Sequence, residues 1–147
     1  MVKEPIVIDA SNLILGRMAS HVAKKALEGN HVIVVNAEKA VIAGRRKRIL
    51  ERVKTRLRTR TLGSLEKGPT HPRRSDTLVR RVIRGMLPWK KPHGKDAYRR
   101  VEVYIGLPEE FVGRTMMRVP QAEVSKLRGP YVSVEEIAKE IGALYRA

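Results

Sequence analysis

The sequence predicts an α/β fold, and three observations predict it. Two short apolar runs, Ile6-Val7-Ile8 and Val32-Ile33-Val34-Val35, flank a stretch of helical period. Neither run alternates with polar residues, as expected of parallel strands buried on both faces. The 42% hydrophobic content of the 147 residues matches an ordinary globular protein and suits one domain, residues 1–147.

The first strand follows Pro5 and ends at Asp9, and Ser11-Asn12 supplies turn chemistry. From about Gly16, Met18, Ala19, Val22, Ala23 and Ala26 share one helical face while Lys24 and Lys25 point outward, and Gly29 is placed to end the helix. The second strand, His31–Val35, then completes a βαβ unit, whose strands run parallel with a right-handed crossover. Asn36–Lys39 reads as one turn and Ala40–Ala43 as a third strand.

After Gly44, Ile49, Val53 and Leu57 fall at i, i+4 and i+8 beside Leu50. This predicts a helix that docks by a narrow edge and is cationic elsewhere. Residues 61–76, with two glycines and two prolines, have no period and read as a long basic loop, a length unusual unless it has a task. Ser75 or Asp76 is expected to cap a helix with Leu78, Val79, Val82, Ile83 and Met86 inside and Arg80, Arg81 and Arg84 outside, stopped by Pro88. Trp89–Lys95 reads as a second basic loop, followed by a short helix through Tyr98 and a strand over Val101–Ile105. Both loops, 61–76 and 89–95, are expected to be unordered without a partner. Ser133-x-x-Glu136 is a capping box for a last helix that stops at Gly142.

Charge is distributed unevenly along these elements. Between Arg45 and Arg100, 14 Arg and six Lys face only Glu51, Glu66, Asp76 and Asp96, so this segment carries the whole net charge of +16. The remainder, including a charge-balanced extension over 107–147, sums to zero. Self-repulsion on that scale destabilises a chain unless a polyanion neutralises it, and nucleic acid is the expected polyanion. Arg predominates in the segment, and its planar fork suits bidentate phosphate contact and stacking. The expected phosphate-contacting set is Arg45, Arg46, Arg48, Arg52, Arg56, Arg58, Arg60, Arg73, Arg74, Arg80, Arg81, Arg84, Lys90, Lys91 and Lys95. Trp89 has two readings, stacking on a base or ribose and packing over the end of the preceding helix; packing is favoured.

Other chemistries lack their parts. No cysteine is present, which removes disulfides, thiolate metal sites and Cys nucleophiles. The four histidines have no ligand spacing, so no metal is expected, and no cofactor or small-molecule substrate. Leu15-Gly16-Arg17 opens a helix after a strand but belongs to no phosphate-binding glycine motif, so Gly16 reads as a turn or close-approach residue. The first apolar run is too short for a signal segment and no run spans a membrane, so the cytoplasm is expected. A membrane-surface role is disfavoured because the cationic helix has no broad apolar face. Few Asn and Gln and no Cys suit a protein that works hot.

Several segments together resemble the large-subunit ribosomal protein L-thirteen family, in its archaeal or eukaryotic-like form. They are Val7-Ile8-Asp9-Ala10, Leu15-Gly16-Arg17-Met18-Ala19-Ser20, Val34-Val35-Asn36-Ala37-Glu38-Lys39, Arg84-Gly85-Met86-Leu87-Pro88 and Val103-Tyr104-Ile105-Gly106, covering about residues 6–106. The resemblance implies a three-layer α/β/α core on a four-stranded parallel sheet. It also implies a non-enzymatic constituent of the large ribosomal subunit that binds large-subunit ribosomal RNA, supports assembly in translation and adjoins other large-subunit proteins. Arg17, Asn36, Lys39, Arg84, Gly85, Met86, Leu87 and Pro88 match its motif positions, with Arg84 favoured for a phosphate contact and Gly85 for close backbone approach. The alternatives are an RNA-modifying or nucleotide-binding enzyme on the same βαβ core, and an RNA-binding regulator acting away from the ribosome.

Overall fold

A computed structural model describes residues 4–143, so the ends of the expected 1–147 domain lie outside the described residues. β1 (Ile6–Asp9), α1 (Leu15–Leu27) and β2 (Val32–Val35) form the expected parallel βαβ unit, with Ile6 opposite Val32 and Asp9 opposite Val35. The α1 face is the one its period predicts: Met18, Ala19, Val22, Ala23 and Ala26 are buried, and the small Ala side chains let the helix lie close to the sheet. β4 (Val101–Val103) joins the other edge of β2, also parallel, giving the order β1-β2-β4. Its ladder stops two residues short of the expected Ile105, although Tyr104 N–H still donates to the Val34 carbonyl.

Among the described residues the parallel sheet therefore has three strands, where four were expected. β1 and β4 occupy both edges of β2, so β3 (Val41–Ala43) has no place beside it. β3 pairs antiparallel with β5 (Tyr131–Ser133) in a separate ribbon, Ile42 opposite Val132. The outer edge of β1 holds one bridge, Ile8 to Met117, where Met117 N–H donates to the Val7 carbonyl at 2.7 Å. Pro120, three residues on, has no N–H with which to extend it.

The layering also differs from the expected α/β/α. One face of the sheet (Ile8, Val32, Val34, Val101) packs against Met18 and Val22 of α1, Val79 and Ile83 of α3 (Ser75–Gly85) and Ala97 of α4 (Pro92–Arg99). The opposite face (Val7, Ile33, Val35) is covered by Phe111, with Tyr104 and Met116 beside it. That cover is irregular chain with one 3-10 turn, Glu109–Phe111, because Gly106, Pro108 and Gly113 fall too close together for a helix.

α2 (Arg46–Arg58) docks by one edge as expected, with Leu50 buried against Val132 and Ile137 and with Ile49 and Val53 alongside. Its partners are the β3–β5 ribbon and α5 (Val134–Glu140), whose capping box forms: Glu136 N–H donates to Ser133 Oγ at 3.2 Å.

α3 departs from expectation at both ends. Its N-cap is Arg74, whose carbonyl accepts from Thr77 Oγ1 at 2.9 Å, while Ser75 lies inside the helix and is fully buried. At the other end Met86 is 41% exposed and Leu87 takes the inward place at 6%. The helix ends at Gly85, so the chain turns one residue before the stripe is complete. Residues 61–74 carry no helix or strand, as read from the sequence, but the second basic loop is shorter than 89–95 because α4 starts at Pro92. Pro at the first helical position is pre-set for that start.

Candidate nucleic-acid interface

The cations on α2 follow from its narrow docking stripe. With only Leu50 buried and Ile49, Val53 and Leu57 half-buried along one edge, the rest of the helix faces outward, and Arg48, Arg52, Arg56 and Arg58 are exposed. None of these four has a hydrogen-bonding or ion-pairing side-chain partner among the described residues, and neither have Arg45, Arg60, Lys90, Lys91 and Lys95. Arg46 is different. Its guanidinium pairs with both Glu136 and Glu140 of α5, and those two hydrogen bonds hold its pKa above the ordinary arginine value. It clamps α2 to α5, and its charge is already compensated.

The arginines around α3 are engaged locally. Arg73 Nη1 donates to the Ile141 carbonyl at 3.0 Å, and Arg74 lies 3.3 Å from Asp76. Arg81 Nη2 donates to the Thr70 carbonyl at 2.8 Å. Arg80 lies over the Tyr98 ring, 4.7 Å from Cζ to centroid, and Arg84 over Trp89 at 4.6 Å. The two rings meet edge to face at 5.0 Å and 89°. Trp89 thus packs over the end of α3, the favoured reading. Apart from Arg74, which faces the Asp76 carboxylate, these guanidiniums are held by neutral carbonyls and aromatic faces that do not cancel their charge.

Two hollows join these elements. An apolar groove of about 330 Å³ runs between α2 (Val53, Leu57) and α3 (Leu78, Val82), with Arg56 and Arg81 on its rim. A second of about 310 Å³ is lined by Arg80, Arg81, Arg84 and Tyr98. Pro72 and Arg81 belong to both, so the cations of α2 and α3 form a continuous surface. The long loop between them is tied at its second half, where His71 Nε2 lies 2.8 Å from the Thr59 carbonyl. Its first half exposes Leu62 and Leu65, at 89% and 74%.

The motif positions divide between scaffold and surface. Asn36 is structural: it takes the left-handed conformation, φ 54°, that Asn tolerates better than most residues, and its Nδ2 donates to Asp9 Oδ1 at 2.9 Å. Burial pushes the Asp9 carboxyl up, but hydrogen bonds from Asn36 and from the Ser11 amide and hydroxyl, with the charge of Arg118, outweigh it and hold the group below its ordinary value. A hollow of about 250 Å³ remains at the end of β1, where open α/β sheets take ligands, lined by Asp9, Ser11, Asn12 and Arg118. Leu87 is core, while Lys39 and Met86 are exposed. Pro88 meets the close-approach glycine of this region, which is Gly94: a Cβ there would lie 2.1 Å from the Pro88 carbonyl oxygen. Gly85 and Gly16 do not have that role toward the protein, since a Cβ at either meets nothing within 4 Å.

Arg17 is exposed and donates to the Gln121 carbonyl at 3.2 Å. With Ser20, His21 and Lys24 it borders a basic hollow of about 580 Å³, outside the 45–100 segment; the sequence marks Arg17 as a motif position but not as one of the phosphate-contacting set. Tyr98, which lines the hollow beside α3, is not among the residues the sequence singles out. Its signal was available: Trp89 and Tyr98 are the only aromatic residues between Arg45 and Arg100.

Among the described residues no helix is long and apolar enough to cross a membrane, and no cluster of His, Asp and Glu is arranged to hold a metal ion. Residues 3–110 match the family model described as Ribosomal protein L13. The chain is 45% identical over 138 residues to large ribosomal subunit protein uL13 of Archaeoglobus fulgidus, covering 92% of this chain and 86% of that one. It is 43% identical over 143 residues to uL13 of Sulfolobus acidocaldarius, covering 97% and 96%, and 43% identical over 141 residues to uL13 of Saccharolobus solfataricus, covering 95% and 94%. The family match over the βαβ unit and the cationic segment, with near full-length likeness to archaeal proteins, leads to one conclusion: the chain belongs to the ribosomal protein L13 family, in its archaeal form.

Proposed function

We propose that the surface formed by α2, the 59–74 loop, α3 and the turn at Trp89–Lys91 is the face through which this protein binds large-subunit ribosomal RNA. Membership of its family makes the chain a structural constituent of the large ribosomal subunit and not an enzyme. One observation carries the assignment of the face: the surplus of +16 between Arg45 and Arg100 lies on adjoining elements, and few of its cations have an acidic partner. The contacting set is Arg45, Arg48, Arg52, Arg56, Arg58, Arg60, Arg80, Arg81, Arg84, Lys90, Lys91 and Lys95, with Arg73 and Arg74 at its edge. Arg46 holds α5 and contributes position more than charge. Neighbouring large-subunit proteins are further partners. The whole chain acts as one RNA-binding domain, a reading supported by the packing of β5 and α5 on β3 and α2.

Charge reversal tests the face. Arg48→Glu, Arg52→Glu and Arg56→Glu together remove no buried group and no ion pair, so the fold should survive. The triple variant should vanish from the large-subunit peak of a sucrose gradient while the unaltered protein co-sediments. Undiminished incorporation of the variant would remove α2 from the interface. A protein that never enters that peak in unaltered form would instead fit the regulator reading.

A further inference from the structure

We infer that the hollow beside α3 receives a single unpaired nucleotide of the bound RNA, held against the guanidinium planes of Arg80 and Arg84; this rests on the RNA-binding reading of the cationic face. Arg80 and Arg84 are one helical turn apart, and each guanidinium lies over its own ring, Cζ 4.7 Å from the Tyr98 centroid and 4.6 Å from that of Trp89. The rings brace each other at 5.0 Å, edge to face. The guanidiniums are therefore fixed before any ligand arrives, which lowers the cost of ordering them on binding.

The shape selects the ligand. An RNA duplex offers convex backbone and a major groove too narrow for side chains, and it would rest across α3 without entering a hollow of about 310 Å³. An unstacked base enters such a space, and a guanidinium plane is a stacking surface for it. The fork of Arg81, anchored at Thr70, stands beside the same hollow for the attached phosphate. No carboxylate pairs with Arg80, Arg81 or Arg84 among the described residues, so an anion meets no competitor.

The probes are a short, fully paired RNA duplex and the same duplex with one unpaired nucleotide in the middle, each titrated against the full chain. Stacking one base is worth about five- to a hundredfold in affinity, so the bulged duplex should bind at least fivefold more tightly. The double variant Arg80→Lys, Arg84→Lys keeps the charge and loses the planes. It should lose the preference for the bulge, its affinities for the two duplexes converging to within about twofold whatever its affinity for the paired one. If the double variant melts early, Arg84→Lys alone replaces it and should lose at least half of the preference. Equal binding of both duplexes by the unaltered protein, or a preference that survives in the variant, overturns this proposal and leaves the cationic face intact. Binding that is insensitive to salt on both duplexes overturns the RNA reading and this one with it.

Discussion

Gly94 lies where α4 begins, and its missing side chain is what lets the turn after Pro88 close. A Cβ would sit 2.1 Å from backbone oxygen, which cannot move away as a flexible side chain can. Gly94→Ala should therefore cost about 3 kcal/mol, the upper range for overpacking, and lower Tm by about 10 °C in a thermal melt. Gly85→Ala, with open space around it, is the control and should change Tm little. Asp9 gives a second prediction. Its carboxylate accepts from Asn36 and Ser11, and these hydrogen bonds hold its pKa below the ordinary aspartate value. A group with a depressed folded-state pKa stabilises fully above its unfolded pKa and stops doing so as pH falls through the folded one. The Asp9 contribution is thus complete at pH 6 and lost progressively below about pH 4. Asp9→Ala should cost about 1–2 kcal/mol at neutral pH by orphaning the Asn36 amide, and the deficit should shrink in melts taken near pH 3.

α2 is held by Leu50, with Ile49 and Val53 beside it, and by a pair of salt bridges, so the apolar and ionic anchors can be weighed against each other. Leu50→Ala removes the one buried side chain of the helix and should cost about 2–4 kcal/mol in urea unfolding. Arg46→Ala breaks half-exposed, solvent-screened ion pairs and should lower the urea midpoint far less than Leu50→Ala does. The loop that follows is tied through His71 to Thr59, Arg73 to Ile141 and Arg81 to Thr70. Its first half, near Lys67, has fewer such ties. Trypsin acting on the free protein should cut at Lys67 well before Arg73 and Arg74. The elements that could be read in advance are those whose signal is local. The periods of α1 and α2 and the caps at Ser133 and Gly142 are each written within a few residues, whereas α3 ends at Gly85, three residues before the expected stop at Pro88. What could not be read depends on who occupies an edge or a face. β3 has a strand sequence, but only the arrival of β4 excludes it from β2. Phe111 covers a sheet face because no helix competes for it. The candidate site shows the same division: charge marked the α2 surface, while Arg46 is withdrawn by two glutamates 90 and 94 residues away. The Arg80–Tyr98 and Arg84–Trp89 contacts were equally invisible until α3 and α4 met.

At the scale of the whole molecule, neutral ends supply the sheet, the β3–β5 ribbon and α5, and the middle supplies the charge. The scaffold carries a net charge of +16 close to its own surface, so it repels itself when alone. Two opposite responses to salt follow. Added salt screens the repulsion and should raise the Tm of the free protein between 50 and 200 mM. The same salt weakens binding, because phosphates neutralised by Arg and Lys release counterions that salt puts back. The direct measurement is the affinity of the protein for large-subunit ribosomal RNA across that range. If about 6–10 phosphates are engaged, log Kd should rise linearly with log salt, and affinity should fall by roughly 10³–10⁵. An affinity that barely changes from 50 to 200 mM would contradict a phosphate-binding face.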